Sequence, residues 1–310
     1  MTASRTAARL GLTTAVLMFA LMVIGSLVRT TGSGLACPDW PLCEGRLIPR
    51  AEPHVLIEWF HRLVALLVSL MLFVTVGWIA ARRETRTRLG GLAVLAVGLL
   101  FAQVLLGALT VWKLLHPSVV SSHLAVALLL FATILTITLV AQREADAESG
   151  AAAGSGTRPP GLLPLTGITL LLAYGQCLLG GLVSTTGAGT ACPDWPRCNG
   201  QWFPSLAEPG GLQMIHRWGA YALVIALLLL TVRARSAPDP AVRGGATRAL
   251  GLVFAQIALG VCNVLLGTPP WLSAAHLATA AAILALLVIL TFRVASLPAP
   301  GRAFATAEAR

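Results

Sequence analysis

Four of the six histidines in this chain recur as two matched pairs, and they are the side chains best suited to bind a metal. His61 and His123 reappear as His216 and His276, at offsets of 155 and 153 residues. All four fall inside apolar segments, where ionisable side chains are rare and typically mark a functional site. In each half, the two helices that carry a pair enter the membrane from the same side. The two imidazoles of a pair are therefore expected at similar depth.

The pairing of the histidines favours a haem site, because two facing imidazoles are typical of haem iron held in a helical bundle. Zinc or copper is the competing interpretation. Two imidazoles leave coordination positions unfilled, however, and no nearby carboxylate or thiolate set appears in both halves. Arg62 and Arg217 each follow a histidine directly and are candidates to bind haem propionates or, alternatively, to reach lipid headgroups. His54 and His116 have no repeated counterpart and are predicted to be loop residues.

One acidic residue breaks the repeat beside these histidines. Glu58 lies three residues before His61 and shares its helix face, whereas Gln213 holds the equivalent position in the second half. A carboxylate beside a haem can act as a base or stabilise developing positive charge, which an amide cannot do as an anion. We therefore predict the reaction site in the first half and an electron-transfer or structural haem in the second. The alternative for Glu58 is a helix-capping role.

Two cysteine pairs bracket the same Pro-Asp-Trp-Pro sequence in the two halves. Cys37 and Cys43 match Cys192 and Cys198 at the offset of 155 residues. Cysteine pairs in loops outside the cell membrane are typically disulfides, and this spacing is looser than that of zinc ligands. Whether the bridges only rigidify their loops or also exchange electrons stays open at this point.

Three glutamines each lie four residues before a glycine in the apolar segments. We interpret them as helix-packing positions, with amides that face a porphyrin as the alternative. The glutamines are Gln103, Gln176 and Gln256.

The elements that must position these residues are apolar segments long enough to cross a membrane. The chain is 56% hydrophobic and 11% charged, whereas globular proteins carry about 25% charged residues. A spanning helix needs roughly 20 mostly apolar residues. Eight runs meet this requirement, and we predict spans at 10–28, 58–81, 89–112, 119–141, 162–184, 212–232, 249–267 and 271–292.

The repeat predicts an all-α integral membrane protein built as two pseudo-symmetric four-helix bundles. The N-terminal half covers 1–141, a cytoplasmic linker 142–161, and the C-terminal half 162–310. Most of the 22 lysines and arginines fall on the side of the termini, which places both termini in the cytoplasm and the long loops 29–57 and 185–211 outside. The net charge of +10 therefore indicates orientation rather than nucleic-acid binding.

These features together resemble the bacterial haem A synthases, over essentially the whole chain. The resemblance implies that haem O is converted to haem A for terminal oxidases by oxidation of a methyl substituent to a formyl group. It further implies a bacterial inner-membrane protein that works with haem O synthase and an electron donor or acceptor in the membrane. A homo-oligomer is a further possibility.

Carried over by motif, the resemblance assigns roles to individual residues. Glu58 would serve catalysis, and a disulfide between Cys37 and Cys43 would lie beside the active half. The substrate haem would be bound by His61 and His123, and a permanent haem B by His216 and His276.

Two other functional classes account for part of the pattern. A non-catalytic di-haem electron carrier explains the histidines but gives Glu58 no role. A membrane thiol oxidoreductase or a transporter would account for the outward cysteine pairs or for the repeat, which transporters also show. For the enzyme, iron with two histidine ligands has no open position, so either one histidine leaves or electrons are removed from the macrocycle.

Overall fold

The computed structural model describes residues 2–150 and 156–299 of the chain. Within these ranges the chain forms eight α-helices and one short 3₁₀ turn, Ala188–Thr190, and each of the eight helices is long and apolar enough to cross a membrane. The predicted all-α membrane fold is confirmed. In chain order, α1 to α8 are Ala3–Thr30, Pro53–Ala81, Arg83–Trp112, Pro117–Glu148, Leu162–Thr185, Pro209–Ala234, Pro240–Leu265 and Pro270–Ser296.

The helices extend beyond the predicted spans, mostly at their N-terminal ends. Proline begins α2, α4, α6, α7 and α8, where its missing N–H costs nothing and its fixed φ suits the first helical position. The predicted spans leave out most of these first turns, because proline, glycine or polar residues occur in them. His54 lies in the first turn of α2, so its placement in a loop was wrong, whereas His116 precedes α4 as predicted.

The segment between the halves is also more ordered than the sequence indicated. Helix α4 continues to Glu148, so residues 142–148 are helical rather than irregular. Ser4 of α1 donates a hydrogen bond to Glu148 at 2.6 Å, which fastens this end of α4 to the start of the chain. The centre of the predicted linker, 151–155, lies outside the described residues.

The core clusters of the two halves are joined through α8. One cluster of buried apolar side chains lies wholly in the second half, in α5 to α8 and the segment before α7. The largest cluster of buried apolar side chains combines residues of α1 to α4 with Ala281, Leu284 and Val288 of α8. Helix α8 contacts α1, α4 and α5 as well as α7. The halves are therefore held together over the same region in which the histidine-bearing helices α4 and α8 lie.

Candidate functional site

A single cavity of about 1140 Å³ is lined by the repeated histidines, the two arginines that follow His61 and His216, and the three glutamines singled out from the sequence. It is lined from both halves and exceeds the roughly 300–1,000 Å³ of most small-molecule pockets. The four repeated histidines lie in its wall, together with Glu58. The structure thus brings together residues that are separated by more than half of the chain.

Each histidine ring lies against a glycine of the preceding helix. A methyl group built on that glycine would come closer to the ring than ordinary van der Waals contact, so any larger residue would push the imidazole from its place. The distances from such a Cβ to the ring Cε1 are 3.1 Å for Gly25 and His61, 3.3 Å for Gly107 and His123, 3.0 Å for Gly180 and His216, and 2.9 Å for Gly260 and His276.

The sequence indicated only that glycines near the glutamines are helix-packing positions. It did not show that these four glycines each make room for a histidine ring, and we call them the imidazole seats. The signal was present, since they repeat at the same offsets as the histidines they contact.

The glutamine one turn before each seat is hydrogen-bonded to a histidine in two cases. The Gln103 amide nitrogen lies 3.1 Å from Nε2 of His123, and that of Gln176 lies 3.0 Å from Nδ1 of His216. In α1 the corresponding residue is Leu21, so His61 has no amide neighbour of this kind. All three glutamines therefore line the cavity, and two of them contact its imidazoles, so they are more than packing positions; that they face a porphyrin stays a prediction.

The polar atoms around the cavity are consistent with a bound haem. A buried polar atom without a partner costs about 1–3 kcal/mol, so a cluster of such atoms indicates a missing ligand. No group of three or more histidine, cysteine or acidic side chains able to hold a bare metal ion occurs in 2–150 or 156–299. In the same ranges, buried atoms without a hydrogen-bond partner include Nδ1 of His61, His123 and His276 and Oε1 of Gln103, Gln176 and Gln256.

Both predicted disulfides are present, and they close equivalent loops above the cavity. Cys37 bonds to Cys43 and Cys192 to Cys198, with the four sulfur-bearing residues almost completely buried. Backbone pairing between Cys43 and Arg46 recurs between Cys198 and Gln201. The loops are therefore built alike, down to the backbone contact that follows the second cysteine.

Glu58 anchors the first of these loops. It is 4% exposed, and its Oε2 accepts a hydrogen bond from the Cys37 backbone N–H at 2.8 Å. Gln213, 3% exposed, accepts from the Cys192 N–H at 3.3 Å. The same position therefore performs the same loop contact in both halves, and only the charge differs. A helix-capping role is wrong, because Glu58 lies beyond the first turn of α2, which contains no acidic residue.

The two arginines after the histidines bind loop backbone. Arg62 donates to the carbonyl oxygens of Asp39, Leu42 and Cys37, at 2.6–3.0 Å, and forms a 2.6 Å ion pair with Glu58.

Arg217 donates to the carbonyl oxygens of Arg197 and Cys192 at 2.5 and 3.0 Å, and it has no carboxylate partner in the described residues. Both guanidinium groups thus hold the disulfide loops down onto the helices.

A repeated aspartate, not singled out from the sequence, closes a turn inside each loop. Asp39 accepts the backbone N–H groups of Glu44 and Gly45 at 2.6 and 2.8 Å. These N–H groups, that of Gly45 first, lower the pKa of the Asp39 carboxyl from its ordinary value. Asp194 makes the same contacts in the second loop, with its pKa lowered in the same way by the N–H of Gly200 and then by that of Asn199. The duplicated Pro-Asp-Trp-Pro sequence was the available signal.

Comparison with known proteins agrees with this geometry. The family model COX15-CtaA, described as cytochrome oxidase assembly protein, matches residues 8–288. Proteins named "Heme A synthase" are similar over most of their length. That of Symbiobacterium thermophilum is 34% identical over 253 residues, which is 80% of this chain and 81% of the relative. This chain belongs to the haem A synthase family.

Other members of the family cover even more of the chain. The relative from Shouchella clausii is 33% identical over 263 residues, with 83% of this chain and 86% of its own length covered. That from Geobacillus kaustophilus is 30% identical over 307 residues, with 96% and 95% covered. The family model, from residue 8 to residue 288, extends over both halves of the chain.

Proposed function

We propose that this multi-pass membrane protein is a haem A synthase, which oxidises a methyl substituent of haem O to a formyl group and thereby serves cytochrome oxidase assembly. One observation carries the proposal. A single cavity contains one histidine pair from each half, and a carboxylate, Glu58, lies near the pair of the first half only. The duplicated part suits the binding of two porphyrins, and the unduplicated carboxylate suits chemistry on one of them.

We assign the substrate haem O to the first half and a resident haem B to the second. His61 and His123 would bind the substrate iron, and His216 and His276 the iron of haem B. The glycine seats leave room for the four rings, and the cavity is large enough to serve both halves. When bound, haem B supplies a one-electron carrier between the substrate and an electron acceptor in the membrane.

Glu58 is the proposed catalytic residue of the first half. Conversion of a methyl to a formyl group with water as the oxygen donor releases four protons and passes four electrons to the acceptor, so the site needs a proton acceptor and a negative charge near the reacting carbon. The Glu58 carboxylate lines the cavity, and hydrogen bonds from Arg62 and from the Cys37 N–H hold both of its oxygens. These donors keep an anion in place where water is largely excluded.

Arg62 and Arg217 were candidate propionate ligands, and we now propose a positioning role for them. Their N–H groups are taken up by loop carbonyls, so their hydrogen bonds fix the disulfide loops rather than a haem carboxylate. In the first half, Arg62 additionally orients the Glu58 carboxylate.

The topology that we propose follows the distribution of basic residues. Both termini lie in the cytoplasm of a bacterial cell, and the disulfide loops face the outer side of the inner membrane. Haem O synthase and an electron acceptor in the same membrane are the proposed partners.

Pigment analysis tests the proposed function. The chain is expressed in a host that supplies haem O but lacks its own haem A synthase, and the membrane haems are extracted and identified by mass. We expect haem A only when the chain is present, and the Glu58→Gln variant serves as the matched control without it. A preparation that holds haem B but never yields haem A would instead identify a di-haem electron carrier.

A further inference from the structure

The walls of the cavity carry different charges in the two halves. Four arginines line the cavity, and three of them, Arg29, Arg46 and Arg62, belong to the first half. At the offset of 155, Arg29 corresponds to Ser184 and Arg46 to Gln201, and only Arg62 has a repeated arginine. The loops around Arg46 and Gln201 have the same backbone pairing, so the substitution changes the side chain and leaves its support unchanged.

Arg29 is placed on the face of α1 that meets the substrate histidine. It lies four residues after Gly25, and residues four apart are neighbours on one face of a helix. Gly25 is the seat of the His61 ring, so Arg29 stands one turn above that ring toward the outer surface. Ser184 has the same relation to Gly180 and His216 in the second half.

The Arg29 guanidinium has a charge without a counter-ion. Its Nε is buried and has no hydrogen-bond partner among residues 2–150 and 156–299, and no acidic side chain there pairs with it. A helix C-terminus can attract a cation, but the hydroxyls of Thr30 and Thr31 bind the carbonyls of this last turn. The partly exposed guanidinium lines the cavity, where the carboxylate of a bound ligand would pair with it.

We infer that Arg29, assisted by Arg46, forms a carboxylate-binding subsite for the propionates of the substrate haem. The inference rests on the proposed function, since it concerns the porphyrin bound by the first half. A guanidinium pairs well with a carboxylate, and Arg62 has no free N–H pair to offer because loop carbonyls and Glu58 occupy it. The subsite orients the substrate in the first half and distinguishes that half from the haem B half, where Ser184 and Gln201 are neutral.

Titrations that combine protein variants with two forms of the ligand test this subsite. Purified protein that already holds haem B is titrated with haem O and with haem O dimethyl ester, and binding is followed by absorbance. Arg29→Gln is expected to weaken binding of haem O by about 10- to 100-fold, the effect of losing a charge-assisted hydrogen bond, and to leave binding of the ester nearly unchanged. Arg46→Gln, an exposed side chain, is expected to cost about fivefold or less.

Matched controls separate the subsite from general damage. Lys113→Gln removes an exposed outer-side charge of the same half that does not line the cavity, and should change neither titration. Unchanged haem B content in every variant shows that the fold is intact. If Arg29→Gln weakened the binding of haem O and of its ester equally, or weakened neither, the proposed subsite would be refuted. The proposed function would be unaffected by that result. Failure of the unsubstituted protein to bind haem O at all would instead overturn the proposed function.

The other source of an anion is a lipid phosphate, and a further arm of the experiment distinguishes it. The titrations are repeated in detergent micelles with added phosphatidylglycerol. If Arg29 binds the haem carboxylate, the lipid should leave the preference for acid over ester in place. Loss of that preference in the unsubstituted protein on lipid addition would assign the arginine to lipid and overturn the inference.

Discussion

The two halves of this protein share the contacts of their histidines and disulfide loops but differ in the charge around their common cavity. Both halves keep the paired histidines, the glycine seats, the disulfide and the arginine that holds it. Three cavity-lining positions differ between the halves: they are charged around the first histidine pair and neutral at the repeated positions of the second half. The charged residues are Arg29, Arg46 and Glu58, and the neutral ones are Ser184, Gln201 and Gln213.

This difference separates the residues that we propose to bind a porphyrin from those that we propose to orient the substrate and assist its reaction. The duplicated parts are those that any bound porphyrin would need. The unduplicated charges are concentrated where a substrate must be oriented and its reaction assisted. The following predictions exchange or remove single elements of one half and use the other half as the control.

The largest effect is expected from Glu58→Gln, which gives the first half the residue of the second. Haem A formation should fall by about 100-fold or more, the usual contribution of a positioned acid or base. The loop should stay in place, since Gln213 shows that an amide keeps the contact to the cysteine N–H. Haem A is measured per mole of protein, with total haem content as the check on folding.

The reciprocal variant Gln213→Glu is the control for this exchange. It adds a carboxylate to the second half and should leave haem A formation within about twofold of the unsubstituted protein, since surplus charge there assists no reaction. Equal haem A yields from Glu58→Gln and the unsubstituted protein would contradict the catalytic role.

A smaller effect is expected when an imidazole seat is filled. Gly180→Ala or Gly260→Ala should lower haem B occupancy by about tenfold, because overpacking a close contact typically costs 1–3 kcal/mol. Gly25→Ala and Gly107→Ala should instead lower haem A yield and leave haem B bound. Haem per protein is measured by extraction.

Glycines of the same helices that face open space provide the control. Gly175→Ala in α5 and Gly251→Ala in α7 meet no atom within 4 Å and should leave occupancy unchanged. The seat hypothesis fails if these variants lose haem B as readily as Gly180→Ala.

The smallest effect is expected from the aspartates of the disulfide loops. Asp39→Asn should speed hydrogen exchange at the Glu44 and Gly45 amides and leave the loop of Asp194 unchanged, because each carboxylate binds only its own turn. Exchange is followed amide by amide by mass spectrometry after proteolysis.

The same carboxylates predict an acid dependence with a definite sign. The pKa of Asp39 in the folded protein is below its ordinary value of 3.8, so the carboxylate contribution to loop stability is fully present above that pH. It is lost as the pH falls through the lower folded pKa. If protection of the Glu44 and Gly45 amides from hydrogen exchange already declined between pH 7 and pH 5, this assignment would be contradicted.

The membrane fold could be predicted from the sequence, whereas the contacts of the outer loops could not. Uncharged runs identify helices because a bilayer accepts few other segments. They leave out first turns that contain proline, glycine or polar residues, such as those that begin at Pro53 and Pro209. The repeat identified the histidines, Glu58 and the cysteine pairs. It did not show that Arg62 binds backbone carbonyls some 20 residues away, since every residue type offers a carbonyl.

The central claim is that the first half binds the substrate haem and the second half binds haem B. The haems that copurify with two matched histidine variants test it most directly. His276→Ala is expected to lose haem B while it still binds haem O in the first half. His123→Ala is expected to keep haem B and to contain neither haem O nor haem A. If both variants lost the same haem, or if His276→Ala lost haem O and kept haem B, the assignment of substrate to the first half would be contradicted.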